Sequence, residues 1–483
     1  MLPVLKPTFN KREIGASIEP VEHPTTSSRP RKMGFEAAAP KNKKLINKGV
    51  RRVMSSLFKK SLVATSLSLL AVQAHSAGFQ VSETSVSGLG RAFAGEAAIA
   101  DNAAVGARNA AALTRFNTTA FSGGLSIIDP DVHADVEASS NPVLGEDSTS
   151  LDGKDIAPTE YVPNIHIIQP IDDKLAVGFS AFSNFGLSTD YPKDFYAGSI
   201  AGSTELVTMN FNPNIAYKLN DQWSIGAGIS AIYADAELKR QKGALANIPV
   251  GLGGPGGKPT DQVAKLTGDG WGFGWNLGTL WELDENNRFG LTYRSQSDIT
   301  LDGKYKGPKS SSNSVPGELE LNLPEIIEFS GFHQLNQQFA VHYSAMYTGW
   351  DSFEELKATG SQCSDNTCFQ KDEGWDNSWR YALGATYTMD EHWAFRAGYA
   401  HDESPVSAEK RTLSIPDSDR QWWSLGATYT ANENLSIDAG FAFLDGDQVD
   451  GSEKLSDDVS NSTVDFSAGG DAYIYGLQLN YLF

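Results

Sequence analysis

The sequence predicts an all-β protein, a transmembrane antiparallel β-barrel of about fourteen strands plugged by its own N-terminal segment. Three observations carry this. Hydrophobicity alternates with period two from about residue 120 onward, tight turns of one style recur along the chain, and the last residues alternate to a final aromatic, Phe483. A helical membrane protein is excluded, because no stretch offers the roughly 18 consecutive apolar residues a spanning helix needs.

The alternation comes first. Trp223, Ile225, Ala227, Ile229, Ala231 and Tyr233 fall on one face, and Ser224, Gly226, Gly228 and Ser230 fall on the other. The same period recurs in Leu175, Val177, Phe179; in Phe289, Leu291, Tyr293; in Phe339, Val341, Tyr343, Ala345, Tyr347; in Trp393, Phe395, Ala397, Tyr399; and in Leu435, Ile437, Ala439, Phe441, Phe443. Lipid contains no partner for an open strand edge, so many such strands imply a closed sheet. A soluble β-sandwich would share the alternation. The C-terminal series Tyr473, Tyr475, Leu477, Leu479, Tyr481, Phe483 decides against it, since it resembles the signal read by the barrel assembly machinery, an expected partner during biogenesis.

The turns supply the count. Strands begin after Asx-rich turns at Ile171, Leu219, Leu283, Leu335, Met389 and Ala431. Six turns separate seven hairpins, and seven hairpins make fourteen strands if both barrel ends start and finish on the periplasmic side. Roughly 40 to 65 residues separate successive short turns, so the opposite connections must be long, as extracellular loops are. The first strand is expected at Thr118 to Ile128.

Ahead of the barrel, residues 54–76 read as a signal peptide: Lys59 and Lys60, a short apolar run from Ser61 to Ala74, and small residues Ala74 and Ser76 before a cleavage point. Residues 1–53, with 12 Lys or Arg against 4 Asp or Glu, read as a disordered leader or an over-extended start. Removing residues 1–76 leaves 25 basic against 55 acidic residues, a balance that excludes nucleic acid as a partner. Residues 77–117, rich in Gly, Ala and Asn without sustained period, read as a hatch packed in the lumen, and 118–483 as the barrel. The two cysteines, Cys363 and Cys368, lack the companions of a metal site and the spacing of a redox motif; a disulfide closing a small surface loop is expected after secretion. No GxSxG element accompanies the histidines, so no enzyme, cofactor or metal is expected.

The segment AGFQVSETSVSGLGRAFAGEAAIADNAA, with APTEYVPNIHIIQPI, SNFGLSTDY, GDGWGFGWNLGTLWELDENNRFGLTYRS, FQKDEGW and LSIPDSDRQWWSLG following in order, resembles the FadL family of outer-membrane long-chain fatty acid transporters. It is more similar to the fatty-acid members than to the aromatic-hydrocarbon members. The resemblance implies a fourteen-stranded barrel closed by a hatch, a long-chain fatty acid as ligand, and sideways release through a kinked third strand. Outer-membrane lipid and lipopolysaccharide would surround a monomer. By this resemblance Arg240 and Lys371 meet the fatty-acid carboxylate, with Lys239 and Lys242 close enough to stand in for Arg240. Phe79 is the N-terminal aromatic that fills the pocket before ligand, and Ser183, Asn184, Phe185 and Gly186 form the kink. Asn109 is expected to touch the kink, although Ala110 stands where the family carries proline, which returns an amide donor and frees φ.

Overall fold

The computed structural model describes residues 78–145, 149–310 and 314–483. The leader and signal-peptide readings of 1–53 and 54–76 lie outside the described residues.

Nineteen strands are found among the described residues, in chain order: β1 Ala120–Val136, β2 Glu160–Pro170, β3 Leu175–Phe182, β4 Gly186–Asp190, β5 Ser203–Lys218, β6 Trp223–Gln241, β7 Gln262–Glu282, β8 Asn287–Arg294, β9 Ser297–Lys306, β10 Val315–Leu323, β11 Ile326–Gln334, β12 Phe339–Thr348, β13 Glu355–Thr359, β14 Thr367–Asp372, β15 Ser378–Thr388, β16 Trp393–Asp402, β17 Arg420–Thr430, β18 Leu435–Lys454 and β19 Thr463–Leu482. Five pairs are single walls broken once: β3/β4, β8/β9, β10/β11, β12/β13 and β14/β15. The wall therefore has fourteen antiparallel strands. It closes where β1 pairs with β19, from Ala120 opposite Leu482 to Val136 opposite Phe466. The first strand runs eight residues beyond the expected Ile128, because β19 continues alongside it as far as Phe466.

All six expected turns lie at one end, and one device builds them. An Asp or Asn side-chain oxygen accepts the backbone N–H groups two and three residues ahead, which fixes the chain reversal. Asp172 takes Lys174 and Leu175 at 2.8 Å each, and Asp390 takes His392 and Trp393 at 2.9 and 2.7 Å. Asn220, Asp284, Asn336 and Asn432 repeat it.

The faces are inverted relative to a water-soluble protein. Ile229 is 66% exposed while Ser224 on the opposite face is 1% exposed. Aromatic pairs mark two levels on the outside: Trp223 with Trp281 and Trp393 with Tyr429 beside the short turns, Tyr233 with Trp271 and Tyr399 with Trp423 further along. Six to ten residues of tilted strand separate the levels, the scale of an outer-membrane apolar band.

The inward small residues receive residues 78–116. This segment forms short helices at Val86–Leu89, Glu96–Ile99 and Val105–Arg108 and a 3₁₀ turn at Ala110–Arg115. Its backbone lies against the wall: a Cβ at Gly426 would sit 2.7 Å from Gly90 Cα, and one at Gly398 would meet the Arg91 carbonyl carbon at 2.1 Å. Wall serines accept its amides, Ser344 from Gly95 at 2.8 Å and Ser122 from Ala103 at 3.1 Å. Wall arginines cover its helix-end carbonyls: Arg288 donates to Ala98 and Ile99, both at 2.6 Å, and Arg294 to Ala107 at 2.8 Å. The barrel thus supplies donors to C-terminal carbonyls of the helices Glu96–Ile99 and Val105–Arg108, while those of Val86–Leu89 are met within the hatch.

Candidate functional site

At the long-loop end of the lumen, an apolar cavity is lined by leucines from successive strands, Leu206, Leu238, Leu266, Leu301 and Leu319 among them, and by Phe79, Phe353 and Ile415. These leucines are the inward residues of β5, β6, β7, β9 and β10. The period that turns serine and glycine inward beside the hatch turns leucine inward here. The apolar walls suit a hydrophobic ligand.

Arg240 lies behind one edge of this cavity, bonded to its lining residue Thr204. Its guanidinium is buried (4% exposed) and donates to Thr204 Oγ1 at 3.2 Å, to the Ser203 and Lys239 carbonyls, and to Ser414 Oγ at 3.0 Å. Thr204 lines the cavity, as does Ile415 beside Ser414. Lys371 reaches the same Ser414 Oγ at 3.3 Å and pairs with Glu453 at 2.8 Å. The two cations expected from sequence, on β6 and β14, therefore meet on one hydroxyl. The neighbouring lysines do not compete: Lys239 pairs with Glu237, and Lys242 with Asp261 at 3.3 Å.

Reading along the chain did not single out Ser414, Glu453 or Glu373. Ser414 lies on the connection between β16 and β17. Its Oγ donates to the Ile200 carbonyl at 2.9 Å and its own carbonyl accepts from Thr189 at 3.2 Å. Glu373 is buried two residues from Lys371. Desolvation pushes its carboxyl up to about 7, against the lowering influence of Lys371 and Arg240. The family-like stretches FQKDEGW and LSIPDSDRQWWSLG, which contain Glu373 and Ser414, were the available signals for those two; Glu453 had none.

Phe79 is 1% exposed, in an aromatic cage of Trp350 (centroids 4.6 Å apart), Phe353 (5.2 Å), Trp375 (5.6 Å) and Phe185 (5.9 Å). The backbone on either side of it is tied to the break between β3 and β4. Val81 N donates to Asn184 O at 2.9 Å, Gly186 N donates to Phe79 O at 2.8 Å, and Gln80 bridges Phe185. The break itself spans Ser183, Asn184 and Phe185, with Gly186 opening β4; Ser183 Oγ donates to Thr208 O at 2.8 Å. β2 pairs with β3 only from Ile165 to Pro170, and β4 pairs with β5 alone, so no ladder joins β2 to β4.

Asn109 is placed differently from expectation. It does not bond the kink: its amide donates to Ala97 O at 2.6 Å and to Thr279 O at 3.0 Å, and its oxygen accepts from Ala111 N at 3.0 Å. Asn109 caps the 3₁₀ turn that follows by accepting from the Ala111 amide, and its own amide points to β7; the Ala110 amide takes no part in that cap. Cys363 and Cys368 are joined by a disulfide, their Cα atoms 5.1 Å apart, with both sulfur-bearing residues packed into the cluster that holds Phe79. No group of three metal-ligating side chains occurs among the described residues.

A lipid-facing closed barrel whose lumen is plugged by its own N-terminus, with an apolar cavity above the plug, defines an outer-membrane transport protein. The family model for outer membrane protein transport proteins (OMPP1/FadL/TodX) matches residues 67–483, and the chain belongs to that family. It is 43% identical over 454 residues to the long-chain fatty acid transport protein of Escherichia coli O6:H1, covering 89% of this chain and 99% of that one. It is 37% identical over 467 residues to outer membrane protein P1 of Haemophilus influenzae, covering 88% of this chain and 99% of that one. The crystal structure of a Pseudomonas aeruginosa FadL homologue shares the fold, with a TM-score of 0.74 at 23% identity over 84% of this chain and all of that one.

Proposed function

We propose that this protein takes up long-chain fatty acids across the outer membrane, binding the acyl chain in the leucine-lined cavity and the carboxylate at Arg240 and Lys371. The observation that carries this reading is the meeting of the two cations on Ser414 at the edge of an apolar cavity. A buried guanidinium with no carboxylate in contact leaves room for an anion, which a neutral hydrocarbon would not exploit. An acyl chain gains about 0.8 kcal/mol per CH₂ removed from water, so the route must stay dry. Ligand entering the cavity competes with the Phe79 ring, and moving that ring pulls residues 79–81 off the β3/β4 break. The unpaired wall between β2 and β4 is then the way out, sideways into lipid. The names of the curated relatives support the cargo.

The test is uptake of labelled oleate by a strain lacking its own transporter, with the wild-type chain and with Arg240→Ala/Lys371→Ala. Restored uptake that the double variant abolishes is expected; undiminished uptake by the double variant refutes the head-group site.

A further inference from the structure

The two cations beside the cavity are not equivalent. Arg240 is held by neutral oxygens alone, those of Ser203, Lys239, Thr204 and Ser414. Lys371 already has a carboxylate, Glu453, whose second oxygen accepts the Leu413 amide at 2.9 Å. Glu453 therefore spans Lys371 and the backbone immediately before Ser414, where a ligand carboxylate bound by both cations would have to sit. The pair lies on the more open side of the cluster: the side chains of Lys371 and Glu453 are 17% and 16% exposed.

We infer that Glu453 is a resident carboxylate that holds the ligand's place on Lys371, so that acid binding exchanges one carboxylate for another. The inference rests on the fatty-acid reading of the cavity. Two cations left without an acid in a poorly solvated pocket would cost the empty protein, and a carrier with two free cations would hold its cargo too tightly to pass it on. With Glu453 in place the three side chains carry one net positive charge, which one incoming carboxylate cancels. When the ligand leaves, Glu453 returns to Lys371 and the cluster is again satisfied. Glu453 is thus a specificity-determining residue: it sets how strongly the pocket prefers an acid to its neutral ester, without itself touching the acyl chain.

The experiment compares oleate with methyl oleate, measuring equilibrium binding to the purified full chain in detergent for wild type, Glu453→Gln and Glu453→Ala. Freeing Lys371 is expected to tighten oleate about fivefold, the scale of a partly exposed ion pair, and to slow its release. Methyl oleate binding should be unchanged in both variants, which also reports that the cavity is intact. An oleate to methyl oleate ratio that stays the same or falls in both variants overturns the inference, and assigns Glu453 to holding the loop at Leu413. The variant Arg240→Ala/Lys371→Ala is measured alongside. If it binds oleate as wild type does, the head-group site itself is wrong, a failure separate from that of Glu453.

Discussion

Replacing Phe79 with alanine tests whether the aromatic ring in the cavity is what keeps the hatch strand on the broken wall. The ring is enclosed by four aromatic neighbours at 4.6 to 5.9 Å. Truncating a buried phenylalanine costs about 3–5 kcal/mol. The hydrogen bonds from Val81 to Asn184 and from Gly186 to Phe79 survive the substitution, since both are backbone, and each contributes about 1 kcal/mol. Losing the ring therefore removes more than those two bonds supply. Lifting of residues 79–81 should become easier by about 3 kcal/mol, a factor of roughly 150 in population. Hydrogen exchange in detergent reads this at the two amides concerned, Val81 and Gly186. Their protection should fall by that factor, while amides in the β6 and β7 ladder keep theirs. Protection at Val81 and Gly186 within about threefold of wild type would refute the coupling of ring to strand.

Three other outcomes follow from the geometry. Because burial raises Glu373 from 4.5 to about 7, its contribution to stability is fully present below 4.5 and is lost as pH rises through about 7. The charge it gains there also opposes an anionic ligand. A long-chain alkyl sulfonate, whose own charge is fixed, should bind about tenfold more weakly at pH 8 than at pH 6, and Glu373→Gln should flatten that difference, as titration calorimetry would read. Gly426→Val puts side-chain atoms where Gly90 lies 2.7 Å from a Cβ, so the hatch should become sensitive to added protease while the barrel keeps its heat-modifiable migration; an equally resistant hatch contradicts the packing. Asp390→Ala removes two turn bonds and should lower barrel stability in urea by about 1 kcal/mol, with Glu391→Ala one residue on as the neutral control.

What the sequence determined by itself is local. Alternation at period two placed Ile229 outward and Ser224 inward because successive side chains of a strand must point to opposite faces. The Asx turns were visible because each is completed within four residues, Asp172 to Leu175 being typical. The wall breaks were not read from the alternation, although at Ser295–Gln296 and Pro324–Glu325 the inward set changes parity, from Arg288 and Thr292 to Ile299 and Leu301 and from Leu319 and Leu321 to Glu328 and Ser330; the break at Ser183 to Gly186 was reached only through resemblance. Arg240 and Lys371 were reached only through resemblance; as isolated strand-end cations they look like any solvated lysine or arginine. Their meeting on Ser414, with Glu453 arriving from β18, depends on barrel closure, which brings together residues 43 to 174 positions apart. Asn109 shows the same limit from the other side: its partners, Ala97 and Thr279, were chosen by how the hatch sits in the lumen. Side-chain alternation and turn chemistry act over a few residues and are written in order along the chain, whereas the site is assembled across the lumen, where only the closed wall fixes which residues face one another.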